Sequence, residues 1–391
     1  MNQSKFFFSF LLLVSVSGQA KEGFVAHEWG TFTSVQSAAG QTLEGLHHED
    51  EPLPAFVHGR DAIARRRKSI DFRPQAGTPT GVTQRLETPV IFLYSDEAKK
   101  VKIDLDFPQG IISQWYPENV THRPRVGRVR AVADGMMTWL VDLATKRLQV
   151  PEVPADGIWE PSRRVPSNYL SVGGENERFI FYRGVGRFTL PVRITSRGAD
   201  FNISNPSKAA LPNVFAITTT ADKGSIIELG ALEAGQSVGV TGAQLSAQLK
   251  SHEEYSREAS QKIKAALVEN GLYGDEAQAL VDTWKRSYFR TLGTRILYIT
   301  PRSWIDELLP LEITPTPNEL NRSYVGRIEI LSSAEENALL ALARDAQRAG
   351  RTSIDGISAG AFAEAKLRRL LELAAGDTAL LAFITELIES L

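Results

Sequence analysis

The chain has 391 residues, of which 42% are hydrophobic and 23% are charged, and its formal net charge is −2. These proportions are typical of a globular protein with apolar cores and exclude wholesale disorder. The nearly neutral charge gives no electrostatic reason to expect a nucleic-acid partner. The chain has no cysteine, which excludes disulfides, cysteine metal ligands and a cysteine-linked lipid anchor.

The first twenty residues have the pattern of a secretory signal peptide. Lys5 supplies a positive charge, an apolar run follows from Phe6 to Val16, and small residues precede a cleavage point after Ala20. The run is shorter than the roughly 20 residues that a membrane helix needs, which disfavours the alternative of an uncleaved anchor. We therefore expect a periplasmic or secreted protein whose mature chain has no membrane span.

Strand patterns dominate the region after this segment. Residues 89–94 are apolar and rich in β-forming side chains, and residues 101–107 alternate between apolar and polar. The short polar connection between them predicts a hairpin. Further short strand patterns follow as far as residue 240, separated by Gly, Pro, Asn and Asp, which is typical of a β-sandwich or barrel. The proline-rich stretch 151–166 is the best candidate for a boundary between two β domains.

Helical patterns begin at residue 241. Thr241 with Gln244 predicts a helix cap, and Ser333 with Glu336 predicts a second. Strand patterns return at 294–300 and 324–331, and residues 359–375 and 378–390 are amphipathic. We therefore predict an α+β fold with a β-sandwich-like region at 21–240. A helical pair with returning strands follows at 241–331, and C-terminal helices occupy 332–391.

The strongest candidates for functional residues lie early in the mature chain. Four of the six histidines fall between positions 27 and 58, in a stretch that is also rich in carboxylates. Imidazole and carboxylate together suit a divalent transition metal such as zinc. If residues 24–35 and 52–58 are neighbouring strands, one metal site could draw on several of these side chains. The candidate ligands are His27, His47, His48, Glu49 and His58.

Each candidate also has a structural interpretation. The spacing matches no tight ligand motif, so His27 could be a hydrogen-bonded core residue and His47, His48 and Glu49 a charged surface loop. Trp115 and Tyr116, with Trp159, could form a stacking platform for a sugar, or could be ordinary core residues.

Several phrases of the sequence resemble those of a family of uncharacterised exported bacterial proteins. The resemblance spans most of the mature chain and implies export but no activity. It rests on the phrases at 27–33 (HEWGTFT), 87–92, 107–110, 114–117, 182–186, 309–311 and 325–329.

We therefore expect an exported protein with a binding or structural role in the cell envelope, because no complete catalytic constellation is visible. The alternative is a metal-dependent hydrolase that uses His27, His47, His48 and Glu49, with His58 as a further ligand. The two expectations differ in whether at least three of these side chains converge on one point.

Overall fold

The computed structural model describes residues 23–46, 53–60, 81–124, 132–285, 287–357 and 362–391. It is a mixed α+β protein in which sheets dominate the N-terminal part and helices the C-terminal part, so the predicted fold class is confirmed. The predicted signal peptide lies outside the described residues. Within the described part of the chain, no helix combines the length and the apolar character that crossing a membrane requires.

A sheet with ten strands among the described residues, the central sheet, joins distant parts of the chain. From one edge to the other its strands are β16 (Lys250–Ser251), β14 (Lys223–Leu232), β13 (Leu211–Thr219), β17 (Gly293–Ile299), β19 (Glu319–Ile330), β1 (Val25–Gln36), β3 (Gln84–Tyr94), β10 (Ile180–Gly186), β5 (Gly110–Tyr116) and β2 (His58–Gly59). β1 runs parallel to β19 and antiparallel to β3. Strands from both sides of residue 240 therefore share one sheet.

Two smaller sheets pack on one face of the central sheet. One contains β11 (Arg193–Arg197), β12 (Asp200–Ser204) and β15 (Ser237–Val240). The other contains β18 (Leu311–Thr314), β4 (Lys99–Phe107), β7 (Gly135–Ala144), β8 (Tyr169–Val172) and β9 (Glu175–Glu177), with β6 (Thr121–Arg123) paired to β7. Buried residues from all three sheets, such as Ile91, Ile103 and Ile203, belong to one core. This arrangement is sandwich-like.

The predicted hairpin between residues 89–94 and 101–107 is wrong. β3 pairs with β1 and β10, whereas β4 pairs with β7 and β18 in the other layer. The reason lies in the burial of β3, since Val90, Ile91, Phe92 and Leu93 are all buried. A strand that is apolar on both faces belongs in a sheet interior with a neighbour on each side.

Helices lie on the opposite face and at the C-terminal end, while two short helices, at 242–247 and 302–308, pack into the sandwich core instead. Their bounds are α1 (Glu160–Arg163), α2 (Gly242–Ala247), α3 (His252–Glu269), α4 (Gly274–Trp284), α5 (Arg302–Leu308), α6 (Ser333–Arg348), α7 (Ala363–Leu373) and α8 (Thr378–Ser390). Apolar residues of α3 and α4 form a second core with the central sheet. The last three helices form a third core that includes Val35 and Leu331.

Two helix caps were predicted from the sequence, and the structure shows which residues form each cap. The predicted cap of Thr241 and Gln244 is confirmed and begins α2. The cap of α6 uses Ser332 and Glu335, one residue earlier than predicted. The error arises because two consecutive serines precede two consecutive glutamates, so the sequence fits the capping pattern in either register.

Candidate functional site

His27 is fully buried and faces the helical side of the central sheet. Its Nδ1 lies 2.8 Å from Glu276 Oε2 on α4, and Tyr94 donates a 2.6 Å hydrogen bond to Glu276 Oε1. The backbone N–H of Tyr273 donates to the same Oε2 at 2.8 Å, which closes the first turn of α4. His27 Nε2 lies 3.5 Å from Glu319 Oε1. These contacts anchor α4 to β1, as the structural interpretation of His27 requires.

The expectation that residues 24–35 and 52–58 are neighbouring strands is wrong. β3, β10 and β5 lie between β1 and β2. Four strand spacings of about 4.8 Å, or about 19 Å along the sheet, therefore separate these strands. His27 and His58 accordingly do not share a site. His47, His48 and Glu49 lie outside the described residues, and their role as metal ligands stays a prediction.

His58 instead meets two carboxylates at the edge of the central sheet. Its Nε2 lies 2.9 Å from both Oε1 and Oε2 of Glu175, and the backbone N–H of Glu118 donates to Glu175 Oε2 at 2.7 Å. One ligand atom from each of the three residues lies within 4.8 Å of the other two. The side chains of His58 and Glu175 are 17% and 31% exposed, and Glu118 is exposed. We call these three residues the His58 cluster.

The segment that carries His58 is held by a partly buried guanidinium and an aromatic ring. Arg60 donates to three backbone carbonyls, including that of Pro124 at 2.6 Å. Burial lowers the pKa of Arg60 to about 10, so the side chain stays charged at neutral pH. The ring of Phe56 packs against Tyr116 with centroids 4.7 Å apart. His58 is therefore fixed on both sides along the chain.

The carboxylates reach His58 from two other parts of the chain. Val172 pairs with Glu175 across the turn Gly173–Gly174, where φ is +60° and +91°. Two residues with positive φ form the tight turn that suits a β-hairpin, and glycine adopts such angles without strain. Glu175 is thus the first residue of β9. Glu118 follows β5, whose Trp115 pairs in register with His58.

The donor set of the His58 cluster suits a divalent transition metal. One imidazole and two carboxylates are ligands that zinc and manganese both accept. The glutamates place two like charges near each other, and a bound cation would relieve their repulsion. Three protein ligands also leave a coordination position for water. Without a metal, His58 and Glu175 form a histidine–glutamate pair.

The aromatic residues that were predicted as a sugar platform are buried. Trp115 and Tyr116 are 1% and 2% exposed, and Trp159 is 3% exposed. Trp115 packs in the sandwich core, while Tyr116 and Trp159 pack on the helical side. A stacking platform must expose a ring face. These three rings therefore do not offer one.

A group of charged residues is buried on the helical side at the other end of β1. Glu87 accepts a 2.8 Å hydrogen bond from Arg85 Nε and another from the hydroxyl of Tyr288. Burial alone would raise the pKa of Glu87, but Arg85, Arg327 and Tyr288 lower it to about 2. The guanidinium of Arg327 lies 4.1 Å over the ring of Tyr288.

Two further residues complete this group. Glu329 accepts hydrogen bonds from Arg295 at 2.8 Å and from Arg327 at 2.7 Å. Burial opposes ionisation of Glu329, yet the two arginines lower its pKa overall. We call the whole set the arginine–glutamate network: Arg85, Glu87, Tyr288, Arg295, Arg327 and Glu329. Its close pairing inside the protein indicates a structural role.

Neither the carboxylates of the His58 cluster nor the arginine–glutamate network was predicted from the sequence. Glu118 and Glu175 lie in or beside turns and follow no periodic pattern. Arg327 and Glu329 alternate with apolar residues inside a predicted strand. The charges themselves were the one usable signal in the sequence. If the strand is buried on both faces, its charged residues need buried partners of opposite charge.

No family model and no curated protein matches the chain. Matches to solved structures include a yeast delta-COP-I mu-homology domain complexed with a Dsl1 WxWxV peptide. That match has 7% identity, covers 79% of this chain and 98% of the other, and has a TM-score of 0.29.

Two further structures give similar values. The Fcho1 mu-homology domain of Danio rerio with a bound Eps15 peptide matches at 6% identity over 80% of this chain and 98% of the other, with a TM-score of 0.30. The yeast delta-COP-I mu-homology domain alone matches at 8% identity over 79% and 97%, with a TM-score of 0.27. At TM-scores this low, the overlaps establish neither a shared fold nor a shared partner.

Proposed function

We propose that this protein is an exported protein of the bacterial cell envelope that binds a divalent transition-metal ion at His58, Glu118 and Glu175. The observation that carries the metal site is the convergence of three ligand atoms from separate chain segments within 4.8 Å of one another. The export part of the proposal rests on the leader-like sequence of residues 1–20 and on the resemblance of phrases such as HEWGTFT to a family of exported proteins.

The surroundings of the His58 cluster support metal binding over a purely structural ion pair. A backbone N–H orients the carboxylate of Glu175, as hydrogen bonds commonly orient metal ligands. The partial exposure of the cluster gives an ion a path from solvent. A histidine–glutamate pair alone would not need the second carboxylate of Glu118 beside it.

Zinc is the ion to test first, and manganese the second. Zinc takes imidazole and carboxylate ligands at about 2.0–2.2 Å with water in an open position. Manganese prefers sites that are richer in oxygen. Hydrolysis by the bound water is the second candidate function. The coordination position left open by three protein ligands favours it, and it would also require a substrate site beside the metal.

Isothermal titration calorimetry of the metal-free protein with Zn²⁺ and Mn²⁺ tests the proposal. We expect one ion per chain for at least one of the two metals, and a loss of affinity of at least about tenfold in His58→Ala and in Glu175→Gln, because each variant removes a donor. His252→Ala is the matched control, since it removes a histidine elsewhere on the chain. If neither metal binds, or if His58→Ala and His252→Ala bind equally well, the metal site is disproved.

Export is tested separately in the organism that makes the protein. Mass spectrometry of the purified mature protein should find Lys21 as its first residue, and cell fractionation should recover it outside the cytoplasm. If the protein is recovered from the cytoplasm with residues 1–20 still attached, the export part of the proposal is contradicted. The proposed metal site is not affected by that result.

A further inference from the structure

An open cleft of about 610 Å³ lies between α3 on one side and, on the other, Gln278 of α4 with Lys285, Phe289 and Arg290, which follow that helix. α3 buries an apolar stripe that includes Tyr255, Ile263 and Leu267. Because these positions recur at helical spacing, the neighbouring stripe of the same helix is left at the surface. Arg257 and Lys264 belong to that stripe and line the cleft.

Positive charge dominates the lining of the cleft. The side chains of Arg257, Lys264, Lys285 and Arg290 line it, and Glu253 is the one carboxylate among the described lining residues. Arg257 and Arg290 are exposed, and neither forms an ion pair with another residue in the described part of the chain. An anion in the cleft would therefore meet cations that are not already neutralised.

The nearby carboxylate of Asp282 does not cancel this excess. It is shared by two cations, with Arg164 at 2.9 Å and Lys285 at 2.7 Å. Lys264 donates a 3.0 Å hydrogen bond to the amide oxygen of Gln278, which carries no charge. The positive charge of the cleft is therefore only partly balanced by the protein itself.

We propose that this cleft binds a small polyanion that carries carboxylate or phosphate groups. Its volume is in the range of roughly 300–1,000 Å³ that small-molecule sites occupy. Arginine and lysine supply the donors that carboxylates and phosphates accept, and Ser256 and Gln261 add polar groups to the lining. Four cations line this one cleft, and two of them, Arg257 and Arg290, have no ion-pair partner in the described part of the chain.

Calorimetric titration of the protein with citrate and with inorganic pyrophosphate tests the proposal. The protein is first stripped of metal and dialysed, so that the outcome does not depend on the His58 cluster. We expect saturable binding of at least one anion, at least about tenfold weaker binding in the double variant Arg257→Gln/Arg290→Gln, and weaker binding as salt is raised, because salt screens exposed charges. Tighter binding of citrate would indicate a ligand with carboxylate groups, and tighter binding of pyrophosphate would indicate one with phosphate groups.

A charge-matched control distinguishes anion binding in the cleft from attraction by positive charges elsewhere on the protein. Arg197→Gln/Arg344→Gln also removes two exposed arginines, at sites outside the cleft, and should bind the anion as the unaltered protein does. Absence of binding by either anion overturns the proposal. So does equal binding by the cleft variant and the unaltered protein, or an equal loss in both double variants.

Discussion

Acidification should remove stability that the buried carboxylate of Glu87 contributes at neutral pH. Its pKa is lowered from 4.5 to about 2. A lowered folded-state pKa means that the unfolded chain takes up the proton first, so the contribution is present above the unfolded pKa of 4.5 and is lost as pH falls toward about 2. The shift corresponds to about 3 kcal/mol in all, of which about 2 kcal/mol is lost by pH 3.

Urea unfolding at pH 7, 5, 4 and 3 measures this loss. The free energy of unfolding should fall by about 2 kcal/mol more between pH 5 and pH 3 in the unaltered protein than in Glu87→Gln, which cannot titrate. Glu233→Gln, which removes an exposed glutamate, should keep the full pH dependence. If Glu87→Gln and the unaltered protein lose stability in parallel, the assignment of the lowered pKa to the arginine–glutamate network is refuted.

Three substitutions test local contacts by the same unfolding assay. Tyr94→Phe removes a hydrogen bond to the buried carboxylate of Glu276 and should cost about 1.5–3 kcal/mol; a neutral effect would contradict the described contact. Gly326→Ala would place Cβ in steric overlap with the ring and hydroxyl of buried Tyr298 and should cost about 1–3 kcal/mol, so retained stability would refute this packing. Asp377→Ala removes the cap of α8 and should cost about 1 kcal/mol, an effect that should be missing if the cap is not formed.

The sequence predicted those parts of the fold that depend on local patterns. Alternating apolar residues indicated strands such as β4, and the capping pattern at Thr241 indicated where α2 begins. The order of strands in the central sheet could not be predicted in this way. It depends on pairing between distant segments, as the parallel pairing of β1 with β19 shows.

Four of the seven phrases that resemble those of exported proteins are brought together by this sheet order. Residues 27–33, 87–92, 182–186 and 325–329 lie on β1, β3, β10 and β19, which are adjacent strands. Their charged residues include Glu87, Arg327 and Glu329 of the arginine–glutamate network. Buried charges need specific partners, and this requirement favours a structural explanation for these phrases.

The candidate metal site could be predicted only in part. His58 was among the candidate ligands because histidine is rare in this chain and suits metals. Its partners were not predicted, because Glu118 lies after β5 and Glu175 begins β9 beyond a glycine turn. Only the folded chain places these segments side by side.

The most direct test of the proposed function is an anomalous diffraction map from crystals grown with Zn²⁺ and measured at the zinc edge. The proposal predicts one strong peak at about 2.0–2.2 Å from His58 Nε2 and from carboxylate oxygens of Glu118 and Glu175. The absence of a peak at these three residues would contradict the proposal, whether or not zinc is found elsewhere in the crystal.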